Sequence, residues 1–258
     1  MKIRKAKGTQ KLACLTAGDF TMARLLDAAG VPLVLVGDSL GMAMLGFENT
    51  LPVTMEQMLH HTAAVARGVR EALVVADMPF MSYQVSEEEA LKNAGRFLKE
   101  AGADAVKIEG GAFRAPLVRR LVENGIPVLG HIGLTPQTLN ELGGYRVQGR
   151  TAPEAEALIA DAKALAEAGV FAMVVECVPA ELGERLTREV SVPTIGIGAG
   201  AGCDGQVLVL NDFLGLTESP PKLAKAYLNM AEAFRTATAL YIKEVEQGAF
   251  PTEAQCYK

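Results

Sequence analysis

With 258 residues, half of them hydrophobic and 21% charged, the chain has apolar material for one large core, which excludes intrinsic disorder. A net charge of −5 provides no overall cationic field, which argues against nucleic acid and anionic lipid as partners. Cys14, Cys177, Cys203 and Cys256 lie far apart with no Cys-x-x-Cys pair, the pattern of reduced thiols rather than of disulfides or a zinc site.

The opening "MKIRKAKGTQK" carries five cations in eleven residues and reads as a short, solvated basic arm. The apolar stretch of a secretory leader is missing between those cations and Cys14, so an unexported, cytoplasmic protein is expected. No apolar run is long enough to span a bilayer, so no membrane association is expected either. "KLACLTAGD" supplies a first strand.

One phrase then recurs: "LLDAAGVPLVLVGDS", "RGVREALVVADMP", "LKEAGADAVKIEGG", "LVENGIPVLGHIG" and "LAEAGVFAMVVECV". Each is a helical tail, a glycine (Gly30, Gly68, Gly102, Gly125, Gly169), a linker and a continuous apolar strand, the pattern of βα units around a parallel sheet. Between them, Thr54 with Gln57 and Ser86 with Glu89 stand at capping-box spacing. The second of these helices carries Leu91, Ala94, Phe97 and Leu98 on one face. "VPTIGIGAG" and "GQVLVLNDF" bring the strands to eight, and the chain from Pro220 onward reads as a helical tail that covers the barrel or a neighbouring subunit. Eight parallel strands in this length predict an α/β fold, a closed (β/α)8 TIM barrel forming one domain over 1–258; an open doubly wound sheet is the alternative.

Barrel chemistry gathers at the carboxyl ends of the strands. In order these carry Asp19; Asp38 and Ser39; Asp77; Lys107 and Glu109; His131; Glu176; the glycines of "GIGAGAG"; and Asp212. Asp19 and Asp212 are best read as helix caps or loop charges. Asp38, Asp77 and Glu109 come from successive strands, so their carboxylates can meet at one point, where like charges repel unless a cation lies between them. Oxygen donors with no nearby Cys or paired His favour Mg²⁺ over zinc, and Mg²⁺ leaves positions for a chelating substrate. Lys107 can meet a substrate carboxylate or form a structural ion pair, and Ser39 can donate a hydrogen bond to the same substrate. Glu176, among Val174, Val175 and Val178, reads as a general base whose apolar setting raises its pKa; a helix cap is the competing reading. His131 can bind a substrate oxygen, while His60 and His61 read as a partly buried structural pair.

Two motifs mislead. "GDSL" at Gly37 to Leu40 would make Ser39 a nucleophile, but no histidine follows His131 to serve it. Gly200, Gly202 and Gly205 match G-x-G-x-x-G, yet a strand follows where the fingerprint needs a helix, so these glycines are expected to let backbone approach a ligand at the barrel mouth.

Taken together, "LVGDSLGM", "LVVADMPFMSYQ", "AGADAVKIEGG", "PVLGHIGLTPQ", "GGYRVQGRT", "VVECVPAEL" and "IGIGAGAGCDGQVLVLNDFLGL" resemble the ketopantoate hydroxymethyltransferase family, in order from about Lys11 to Leu216. The resemblance implies a Mg²⁺-dependent (β/α)8 enzyme that uses 5,10-methylenetetrahydrofolate and forms a homo-oligomer, generally a decamer. It implies a metal at Asp38, Asp77 and Glu109, a ketoacid at Ser39, Asp77 and Lys107, and a proton acceptor at Glu176. The reaction so implied is hydroxymethyl transfer to 3-methyl-2-oxobutanoate through a Mg²⁺-stabilised enolate. Gly18 stands where a bulkier, often aromatic residue is expected, and "EAQCY" lacks a histidine usual in that tail. A Mg²⁺-dependent C–C lyase of a 2-oxo acid or hydroxyacid, and a non-catalytic barrel used for binding, are the alternatives.

Overall fold

A computed structural model describes residues 3–257; Met1 and Lys2 of the basic arm, and Lys258, lie outside the described residues. Its contacts divide into two units, Met1–Val209 and Leu210–Lys258.

In the first unit eight strands close in chain order into a parallel barrel: β1 (Leu12–Thr16), β2 (Leu33–Val36), β3 (Leu73–Asp77), β4 (Ala105–Glu109), β5 (Val128–Gly133), β6 (Ala172–Glu176), β7 (Thr194–Ile197) and β8 (Gly205–Leu208). Pairing of β1 with β8, from Leu12 opposite Gly205 to Leu15 opposite Leu208, closes the cylinder and removes the open-sheet alternative. The helices of this unit are α1 (Phe20–Ala28), α2 (Leu40–Ala43), α3 (Met55–Gly68), α4 (Glu87–Lys99), α5 (Ala115–Glu123), α6 (Leu139–Leu142), α7 (Ala152–Ala168) and α8 (Ala180–Glu189).

The helices start where side chains satisfy their free N–H groups. Asp19 accepts from Met22 N–H at 2.9 Å, so it is a cap. Thr54 and Gln57 form a reciprocal capping box, and Ser86 accepts from Glu89 N–H at 3.1 Å. The buried stripe of α4 is Ala90, Asn93, Ala94 and Phe97, rotated from the expected face because Asn93 turns inward to donate to Ser82 O at 2.8 Å. Four of the five recurrent glycines take left-handed φ angles. Gly68 instead stays helical and lets α3 approach the Phe20 carbonyl on α1.

The barrel interior is packed by Leu12, Leu33, Val75, Ala105, Leu129, Ala172, Ile195 and Val207, several of them first residues of their strands. Ile3 and Ala6 join this cluster. The arm is therefore not solvated along its length. A 3-10 turn over Ile3–Ala6 sets its two apolar side chains on one face, 3 residues apart, and seats them against the amino-terminal ends of the strands. Behind it the Lys7 ammonium binds Asp204 at 2.9 Å and the Thr187 carbonyl, and Lys11 reaches the carbonyls of Cys203 and Ala201. Cations that read as solvent-facing in the sequence thus hold this plug in place. The arm thus covers the barrel end opposite the strand ends that carry Asp77, Glu109 and Glu176.

The second unit contains α9 (Leu210–Phe213) and α10 (Met230–Glu246). The last strand ends at Leu208, so Asp212 falls in α9, where its carboxylate accepts from the Thr217 hydroxyl at 2.6 Å. That bond fits the structural reading of Asp212. No residue of α10 is buried, and Phe234, Leu240, Tyr241, Ile242 and Val245 are all exposed.

Candidate active site

Period-2 alternation makes every second residue at the end of a barrel strand point inward. Lys107 and Glu109 therefore share a face of β4, beside Asp77 at the end of β3 and His131 on β5, and Glu109 lies opposite His131 in register. Asp38 stands two residues past the end of β2, where its backbone N–H donates to Asp77 Oδ2 at 3.0 Å. Lys107 Nζ donates to the other Asp77 oxygen at 2.6 Å and lies 3.5 Å from Glu109 Oε1. His131 Nδ1 is 3.2 Å from the same Glu109 oxygen, and its Nε2 is 3.1 Å from Glu176 Oε2 but out of line for a hydrogen bond. Asp38, Asp77, Lys107, Glu109 and His131 are all buried, whereas Glu176 and Ser39 are half-buried.

Charge is unevenly distributed in this space. Burial alone would remove the proton from Lys107, but Asp77, Glu109 and Asp38 together raise its pKa. Burial and Lys107 would both lower His131, yet Glu109 and Glu176 outweigh them and push it up to about 9. Burial would raise Glu109; Lys107 and His131 hold it below the ordinary glutamate value. Asp38 absorbs the imbalance, because burial and the charges of Asp77 and Glu109 push it well up. Two cations thus face four carboxylates, and the surplus negative charge falls on Asp38, the acid whose pKa its neighbours raise.

Such a cluster fits a divalent cation in donor type and in charge: its acids offer oxygen donors, and added positive charge would favour the ionised form of Asp38. The carboxylates do not form a ready-made cage, since among the described residues no three His, Cys, Asp or Glu side chains stand at ligand spacing around one point. The Lys107 ammonium is what lies between Asp77 and Glu109.

The expected residues thus gather as one network, with some altered roles. His131 is held between two glutamates rather than turned to a free ligand position. The Glu176 carboxylate faces this imidazole, and Val174 and Val175 on its strand are buried in the core. Lys107 makes the structural ion pair that the sequence left open. The Ser39 hydroxyl caps nothing at the start of α2. His61 Nδ1 donates to Gly18 O at 2.7 Å, and Met44 Sδ fills the space beside Gly18, 2.3 Å from where a Cβ would stand. Gly200 and Gly202 do not open a ligand site: their missing side chains let the loop pack on Ala180 and Glu184 of α8.

Backbone geometry fixes Glu176. Leu134 N–H donates to its carbonyl at 2.9 Å, and a Cβ on Gly133 would stand 2.2 Å from that same oxygen, so only glycine permits the approach. Cys177, which follows, is non-glycine yet left-handed at φ 49, a conformation worth about 1–3 kcal/mol of strain. Its N–H donates to Ile197 O at 2.9 Å and its carbonyl accepts from Gln148 N–H at 2.8 Å, which hold it there. Burial and Glu176 push its thiol up to about 11, which disfavours the reactive thiolate.

Two residues of the network escaped sequence reasoning. Gln137 donates through Nε2 to Asp38 Oδ2 and to Met78 O, both at 2.9 Å, and through its backbone N–H to Glu109 Oε2 at 3.1 Å. Tyr83 donates its hydroxyl to Gln137 Oε1 at 2.7 Å and accepts from Glu109 N–H at 3.3 Å. Tyr83 lies in the loop after β3 and Gln137 in a single 3-10 turn, Pro136–Thr138, after β5, segments too short for periodicity to mark an inward-facing residue.

Residues 1–253 match the family described as ketopantoate hydroxymethyltransferase. The chain is 58% identical over 250 residues to the 3-methyl-2-oxobutanoate hydroxymethyltransferase of Syntrophus aciditrophicus, covering 96% of this chain and 92% of that protein. To the enzyme of the same name from Clostridium novyi it is 54% identical over 257 residues, 99% of this chain and 94% of the other. Among solved structures, the phosphoenolpyruvate phosphomutase of Streptomyces platensis is similar in fold, with a TM-score of 0.62 at 15% identity over all of this chain and 91% of that one.

Proposed function

The chain belongs to the ketopantoate hydroxymethyltransferase family, and from that premise we propose that it transfers a hydroxymethyl group from 5,10-methylenetetrahydrofolate to 3-methyl-2-oxobutanoate, giving ketopantoate in pantothenate synthesis. One observation carries the assignment of roles: a buried cluster of three acids and two cations at the carboxyl end of the barrel adjoins a half-buried glutamate that no hydrogen bond ties to its histidine neighbour.

Asp38, Asp77 and Glu109 would hold a divalent cation, Mg²⁺ by donor type. Bound there, the ion would polarise the carboxylate and keto oxygens of the oxoacid and lower the barrel's surplus negative charge. Lys107 and Ser39 would bind the substrate carboxylate, the ammonium exchanging part of its hold on Asp77 for the incoming anion. Glu176 Oε2 would take the proton from the branched carbon beside the carbonyl. His131, charged at neutral pH and 3.1 Å away, stabilises the carboxylate before that transfer and lies beside it afterwards. The carbon so activated would form a C–C bond to the folate's methylene carbon; the methylene carbon's two C–N bonds break, water supplies the hydroxyl group, and the proton taken by Glu176 and one from water return to the nitrogens, releasing ketopantoate and tetrahydrofolate.

Among the described residues no helix is long and apolar enough to cross a membrane, and a cytoplasmic enzyme is the reading in keeping with this biosynthetic role. A homo-oligomer, decameric by resemblance, is supported by α10, whose apolar side chains stay uncovered in the single chain and would be buried by another copy.

Glu176→Gln tests the central role. The variant should bind ketoacid and Mg²⁺ like the wild type while hydrogen exchange with solvent at the branched carbon falls by about 10²–10⁴-fold. Undiminished exchange would move the base elsewhere. Cleavage of a hydroxyacid without folate would instead favour the lyase reading.

A further inference from the structure

Gln137 links three strand ends from a fourth. Its side chain binds Asp38 after β2 and the carbonyl of Met78 after β3, and its backbone binds the Glu109 carboxylate of β4, all from the loop after β5. The direction of every bond in this group is forced. Met78 O can only accept, so Nε2 must face it, and the second Nε2 hydrogen then points to Asp38 Oδ2. Glu109 N–H can only donate, so Tyr83 O accepts there and its own proton goes to Gln137 Oε1. Reversing the amide would set a carbonyl oxygen against two acceptors and an NH₂ group against the phenol proton. Gln137 and Tyr83 are 3% and 2% exposed, so water cannot substitute for a lost partner. The Tyr83 ring is itself covered by the Arg114 guanidinium, 5.2 Å from its centroid, which fixes the direction of the hydroxyl.

We propose that Gln137, held by Tyr83, is a positioning residue that sets the mutual orientation of the Asp38 and Glu109 carboxylates, so that a divalent cation and a 2-oxo acid meet two acids already held in one relative orientation. This inference rests on the function proposed above. One oxygen of each carboxylate is tied to Gln137, and the free rotation that would let the two acids turn apart is removed. On Glu109 the other oxygen is left facing Lys107 and His131.

Calorimetric titration of Mg²⁺ into the chelator-treated full chain, with and without 3-methyl-2-oxobutanoate, tests this when paired with kcat, KM and urea unfolding. Gln137→Leu keeps the bulk and removes the side-chain bonds; it should weaken Mg²⁺ binding about 10–100-fold, as loss of a partner that orients a ligating carboxylate does. Tyr83→Phe removes one hydroxyl and should weaken binding about 5-fold in the same direction. Lower unfolding stability with unchanged Mg²⁺ affinity and KM in the folded protein would make the pair purely structural and overturn the proposal. Should Gln137→Leu not fold, Tyr83→Phe decides alone by the same criterion. A wild-type chain that binds neither Mg²⁺ nor the oxoacid would overturn the proposed function, and this inference with it.

Discussion

Replacing Lys107 by Met leaves the volume of the site nearly unchanged and removes the cation on which two buried carboxylates depend. Lys107 Nζ lies 2.6 Å from Asp77 and 3.5 Å from Glu109, and the three side chains are 3–4% exposed. At the effective dielectric constant of about 20 that suits such sites, Coulomb attraction at these distances is about 6 and about 5 kcal/mol. Removing the lysine also removes the cost of burying its ammonium. Measured losses when one partner of a buried pair is deleted are accordingly smaller, about 3–5 kcal/mol, because the remaining charge is left uncompensated. For a chain of this size the melting temperature should drop by roughly 6–20 °C. The variant site also holds one more uncompensated negative charge, so Mg²⁺ should restore a larger share of its stability than it adds to the wild type, about 2.7 kcal/mol at a hundred times Kd. Thermal and urea unfolding, each with chelator and with saturating Mg²⁺, measure both effects. A metal-free variant within about 1 kcal/mol of the wild type, or a Mg²⁺ response no larger than the wild type's, would refute the view that this lysine balances a buried anionic cluster.

Gly133→Ala should cost about 2–4 kcal/mol in chemical unfolding and lower turnover together, since φ +92 disfavours any side chain and the new Cβ would push on the Glu176 carbonyl; normal stability and activity would show that the approach is not required. At the plugged end of the barrel, burial would raise Asp204, but hydrogen bonds from Thr194 N–H, Lys7 and Gly8 N–H hold its carboxyl below the ordinary aspartate value. A folded pKa below the unfolded one stabilises fully above the unfolded value, about pH 4, and the contribution disappears as pH falls through the folded value. Asp204→Asn should thus be about 1.5–3 kcal/mol less stable at pH 7 and converge with the wild type in acid; a constant difference from pH 7 to about pH 2 would contradict the linkage.

Sequence alone determined the βα repetition and its ring of acids. The recurring helix, glycine and continuous apolar strand could bury both faces of each strand only in a parallel sheet covered by helices, and the pairing of β1 with β8 decided that the sheet closes. Spacing of two along β4 put Lys107 and Glu109 on one face, and succession of strands put Asp38 and Asp77 beside them. What periodicity could not supply was anything that depends on loops or on distance in the chain. Gln137 and Tyr83 reach the acids from irregular segments 54 residues apart. Ile3, Ala6 and Lys7 read as part of a charged arm because the surface they cover, the strand starts and Asp204, is assembled only once the barrel has closed. Protonation was likewise a tertiary matter. His131 and Asp38 are both shifted upward because of which groups face them across strands, and the sequence lists those groups without fixing the distances between them.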